Sequence, residues 1–151
     1  MKRQTDKQLI GYLSKYGCFF MCIAYWINWQ VNKVEPDYDY LNRLWMEAIK
    51  RGFISGDMNN DGDMDDHDEL MLLDKNGLLS LCGIKLKYRE AVDVGNFKPR
   101  LGSYYIGEFY NPKTSFTHFA VINEKKECVY DPIKGSITVR DGYIKTIRVI
   151  S

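Results

Sequence analysis

Gly17-Cys18-Phe19-Phe20-Met21-Cys22-Ile23-Ala24-Tyr25-Trp26-Ile27-Asn28-Trp29 is the stretch whose reading decides the fold. Its apolar residues follow one another with no charge among them, so a helix from Cys18 to about Gln30 has to be buried in a core. It is shorter than the ~20 residues that cross a bilayer, and Asn28 interrupts it. The residues before it are too polar for a secretory signal. The expectation is a central core helix in a protein made in the cytoplasm, with no membrane association, that reaches any extracellular target through release by lysis.

On the N-terminal side, Thr5 or Asp6 is placed to cap a short helix through Leu13. After Pro36, Tyr40, Leu41, Leu44, Trp45, Ala48 and Ile49 recur at helical spacing up to Gly52, which suits a left-handed cap. A further helix is expected over Asp68 to Lys75, with Leu70 to Leu73 packed inward and an end near Gly77, followed by a helical turn over Leu78 to Cys82. From Gly83 the pattern becomes strand-like: Ile84 to Tyr88, Ser103 to Tyr110, Phe116 to Asn123, Cys128 to Tyr130, and Ser136 to Arg140 paired with Tyr143 to Ile150 through an Asp141-Gly142 hairpin turn. Helices first and antiparallel strands second predict an α+β fold, a helical half packed on a sheet, in a single domain over 1–151.

Bulk composition agrees with one real core: 151 residues, 45% apolar. Formal charge is +1, but residues 57–69 hold 7 of the 20 acids, so 13 acids face 21 Lys and Arg elsewhere, a remainder of +8. That excess suits an anionic partner such as a cell-wall polymer; nucleic acid is not expected. Cys18, Cys22, Cys82 and Cys128 show neither CxxC pairs nor a dense framework, which points to free thiols.

Cys18 opens the apolar helix, where unpaired amides and the helix dipole favour a thiolate. His118 stands at the head of an apolar strand, Thr117-His118-Phe119-Ala120-Val121-Ile122. Asp131 closes the next one, Val129-Tyr130-Asp131-Pro132. An imidazole and a carboxylate so placed can meet at one sheet edge. Cys18 and Cys22, four apart, also make a metal site with His118 conceivable, but no fourth ligand is suggested.

Gly17-Cys18 with Ala24, His118-Phe119 with Val121, and Asp131-Pro132, in that order, resemble the papain-like cysteine peptidases, above all the compact bacterial branch that includes bacteriocin-processing peptidases. The resemblance implies a papain-like fold, with Cys18 as nucleophile, His118 as general base and acid, and Asp131 orienting the imidazole. The family places an oxyanion-binding Gln about six residues before the nucleophile. That position here is Tyr12, and Gln8 is the nearest candidate, with Gln4 further away. The implied activity is hydrolysis of peptide or amide bonds through an acyl-enzyme. A peptidoglycan stem peptide, cut by a monomeric phage or bacterial hydrolase, is the expected substrate.

The run Asp57-Met58-Asn59-Asn60-Asp61-Gly62-Asp63-Met64-Asp65-Asp66-His67-Asp68 sets oxygen donors at alternate positions around a sharp Gly turn. It resembles the calcium loops of dockerin-type EF-hand modules, which also close with Asp. The expected ligands of a structural Ca²⁺ are Asp57, Asn59, Asp61, Asp63 through its carbonyl, Asp65 and Asp68. Two other classes of function compete with hydrolysis: a noncatalytic, dockerin-like calcium-binding interaction module, and a degenerate papain-like domain that binds without cutting.

Overall fold

The computed structural model describes residues 1–11, 13, 17–54 and 74–151. Among these the chain is α+β. Four α-helices, α1 (Cys18–Ile27), α2 (Tyr38–Lys50), α3 (Lys75–Leu81) and α4 (Ile137–Asp141), accompany β1 (Tyr88–Asp93), β2 (Tyr104–Asn111), β3 (Phe116–Asn123), β4 (Cys128–Tyr130) and β5 (Tyr143–Ile150). The strands form one sheet in the order β1-β5-β2-β3-β4, antiparallel at every pairing.

α1 is the central helix, as its composition requires: eight of its ten residues, Phe20 through Ile27, are buried. At about 1.5–3 kcal/mol for each large apolar side chain removed from water, this one element supplies a large share of the core. It lies on β2 and β3, where Ile106 and Val121 join its core. The Tyr25 ring stacks on Tyr130 at 3.7 Å, and the Trp26 indole Nε1 donates to the Tyr104 carbonyl at 2.8 Å. Beyond Ile27 the helix widens into a π-helical turn, Asn28–Asn32, which Lys33 ends in the left-handed region at φ 56°. The opposite face of the sheet carries a smaller cluster, Phe109, Ala120, Ile122 and Ile147, against which Val139 of α4 packs.

α2 follows its predicted pattern closely. Asp37 caps it by accepting from the Tyr40 amide at 2.7 Å, and Leu41, Leu44, Trp45 and Ala48 are its buried stripe. At its end Gly52, at φ 72°, turns left-handed, so that its amide reaches Ile49 and that of Phe53 reaches Ala48.

Other expectations are corrected. Asp6 does not cap a helix: its carboxylate accepts from the Arg3 amide at 2.7 Å and the Tyr38 hydroxyl at 2.8 Å, and residues 4–9 run through turns and a bend. Gly77 does not end a helix. It lies in the first turn of α3 and donates its amide to the capping carboxylate of Asp74, while the left-handed stop falls at Gly83, φ 74°. Ile84 completes that stop by donating to Leu79, so the strand expected from Ile84 begins only at Tyr88.

The Ser136–Arg140 strand and its hairpin are absent as well. The Ser136 hydroxyl accepts from the Val139 amide and starts α4, and β5 pairs with β1 and β2 instead. Gly142 is extended, at φ −96° and ψ −168°, and not at the positive φ of a hairpin turn. A Cβ there would lie 2.3 Å from the Thr138 carbonyl oxygen and 2.5 Å from that of Tyr110, so close backbone approach explains the glycine.

Candidate active site

Gly17 makes the entry to α1. A Cβ there would meet the Leu13 carbonyl oxygen at 2.4 Å, so only glycine lets the Gly17 amide bond that oxygen while Cys18 becomes the first helical residue. Among the described residues no side chain caps this helix end. The thiol of Cys18, partly exposed and free, therefore sits at the positive end of the helix dipole.

His118 is the third residue of β3 and is buried, 5% exposed. β4 runs beside β3 with Tyr130 opposite Val121 and stops there, so Asp131 leaves the ladder beside the middle of β3, within reach of the His118 side chain. The His118 Nε2 and Asp131 Oδ1 atoms are 2.7 Å apart, and the same carboxylate oxygen accepts from the Ile133 amide at 2.9 Å. The Cys18 thiol lies near enough to His118 to favour the charged imidazole.

The residues following each of these two groups lock them together. Phe19 and Phe119 stack at 4.5 Å with an interplanar angle of 28°, fastening the start of α1 to the start of β3. The Arg148 guanidinium lies 5.5 Å from the Phe119 ring and donates to Glu108 at 2.9 Å.

Burial works against charge on His118, yet the hydrogen-bonded Asp131 carboxylate and the neighbouring Cys18 outweigh it and push the imidazole up to about 9. The other thiols are raised. Burial, then the nearby Cys18, pushes Cys22 well up; burial also lifts Cys82. Cys128 has an exposed residue surface, but desolvation of its sulfur and the Asp131 charge bring it to about 11. Cys22 is thus a packing residue one turn below Cys18, and among the described residues no group of three or more His, Cys, Asp or Glu is placed to hold a metal ion.

Gln8 is exposed, and its carbonyl accepts from the Asn42 side chain at 2.9 Å. Gln4 is a buried glutamine, 2% exposed, with an Oε1 that finds no partner among the described residues and an amide bonded to the Pro132 carbonyl at 2.7 Å, next to Asp131. Nothing local in the sequence marks it, because the strap that carries it is ordered by contacts with residues some 128 positions away. Asp57, Asn59, Asp61, Asp63, Asp65 and Asp68 lie outside the described residues.

Two cavities lie away from the thiol. One of about 450 Å³ is bounded by Trp26, Gln30 and the β1–β5 edge, and one of about 290 Å³ by Asn28, Asn32 and the start of α2. Both open at the C-terminal end of α1, whereas Cys18 faces out at its N-terminal end. No described helix is long and apolar enough to cross a membrane.

Residues 1–151 match the family described as protein of unknown function, DUF261. The chain belongs to the DUF261 family. No curated protein and no solved structure matches this DUF261 chain.

Proposed function

We propose that this DUF261 protein is a cysteine peptidase or amidase with a papain-like arrangement of Cys18, His118 and Asp131. The observation that supports it is a buried imidazole held at 2.7 Å by a carboxylate, near a thiol that opens a buried helix. In this reading the Cys18 proton rests on His118 as a thiolate–imidazolium pair, and the sulfur attacks the carbonyl carbon of an amide. His118 then protonates the leaving amine, and the C–N bond breaks to give a thioester. Water, deprotonated by His118, attacks that thioester and releases the acid and the free thiol. The Cys18 backbone amide is assigned to the oxyanion, with the side-chain amide of Gln8 or Gln4 as the second donor.

The substrate class is peptide, with a peptidoglycan stem peptide preferred for the excess of positive charge outside residues 57–69. A structural calcium ion held by Asp57, Asn59, Asp61, Asp63, Asp65 and Asp68 belongs to the same proposal and takes no part in the chemistry.

Cell-wall digestion with mass analysis of the released muropeptides tests the activity. Wild-type protein should release fragments cut at an amide bond, and Cys18→Ala and His118→Ala should release none. Unchanged turnover in Cys18→Ala removes the nucleophile. Cleavage of a casein-like substrate without muropeptide release rejects the cell-wall substrate and keeps the chemistry.

A further inference from the structure

Asp131 lies just past a strand of only three residues, so the sheet ladder does not hold it. Its carboxylate is turned toward His118 by the Ile133 amide. Its main chain is held from outside the sheet. The Arg3 guanidinium donates through Nη1 to the Asp131 carbonyl and lies over the Tyr130 ring, 5.6 Å from its centre. On either side of Arg3, the Gln4 amide donates to the Pro132 carbonyl at 2.7 Å and the Lys2 carbonyl accepts from the Tyr130 hydroxyl at 3.0 Å. Residues 2–4 therefore grip residues 130–132 at every position.

The strap is itself anchored to both long helices. The Lys2 amide donates to the Tyr25 hydroxyl of α1 at 2.6 Å. The Arg3 amide donates to Asp6, which takes the Tyr38 hydroxyl of α2. The strap thus joins both helices to the segment that carries the acid.

We propose that Arg3 is a positioning residue, which sets the Asp131 carboxylate against His118 by holding the Asp131 carbonyl from the N-terminal strap. This rests on the triad reading. Arginine suits the role because its guanidinium stays charged at every working pH and offers a planar fork that bonds a carbonyl while covering an aromatic face. The carboxylate itself is left free for the imidazole.

Alkylation of Cys18 by iodoacetamide, measured by peptide mass spectrometry in the full chain with Cys128 as internal reference, tests this alongside an NMR titration of the His118 ring. Arg3→Met keeps an apolar stem over Tyr130 and lacks the donor. It should slow Cys18 labelling about tenfold or more relative to Cys128, the scale of effect expected from a misplaced catalytic group. It should also lower the His118 midpoint. Arg3→Lys, which retains a charged donor, should recover part of both.

A lower melting temperature with labelling and titration unchanged would make Arg3 a structural contact only and overturn the inference. Asp131→Ala separates the two levels. If it slows labelling while Arg3→Met does not, the positioning role fails alone, and if it leaves labelling unchanged, the triad reading fails with it.

Discussion

His118 carries its proton more tightly in the fold, with a midpoint pushed up to about 9, than the ordinary imidazole at 6.5. Since its folded value is the higher one, the stability it contributes is complete below about pH 6.5 and is lost as the pH rises through about 9. Chemical denaturation at pH 6.5 and at pH 9 should show that loss, on the order of 3 kcal/mol, in the wild type. In Asp131→Ala the drop across the same window should shrink to a fraction. Equal drops in the two proteins would mean that the carboxylate does not hold the proton. At this scale the three chemical groups were legible in advance, because a lone Cys at a helix start and a His and Asp at strand ends are unusual placements. Gln4 and Arg3 were not, since a polar residue in a turn-rich segment carries no periodic signal and gains its role only from partners far along the chain.

Among the elements, the joint between α1 and β3 rests on the Phe19–Phe119 stack. A double-mutant cycle with Phe19→Ala and Phe119→Ala should give a coupling of about 1 kcal/mol, beyond the loss each variant suffers from its own unburied area. Additive effects would show that the rings do not act as a pair. Gly142→Ala should destabilise by about 1–3 kcal/mol in denaturant titrations, because its Cβ would strike two backbone oxygens that cannot move independently. Helix periodicity and Gly stops were readable for α1 and α2, where the apolar pattern and the cap agree. The 136–140 segment misled, since Ile137 and Val139 in alternation fit a short strand as well as a helical turn. The Ser136 cap and the occupied edges of β5 decide the outcome.

For the molecule as a whole, the calcium proposal predicts thermal stabilisation by mass action. At free calcium about a hundredfold above the dissociation constant, binding adds roughly 2.7 kcal/mol, a rise of about 5–10 °C in melting temperature. Chelator should reverse it, and Asp57→Ala or Asp61→Ala should abolish the response. Identical melting with calcium and with chelator would leave that run an acidic loop. The amino-acid order alone determined that α1 must lie in a core, that helices and an antiparallel sheet share one α+β fold, and which sulfur, imidazole and carboxylate are available, because burial and periodicity are local properties of composition and spacing. The tertiary structure alone decided that β5 lies between β1 and β2, that the Asp131 carboxylate comes within 2.7 Å of the His118 ring, and that the strap at residues 2–4 closes over it. Those outcomes depend on strand register and on hydrogen bonds between distant segments, which no local pattern encodes.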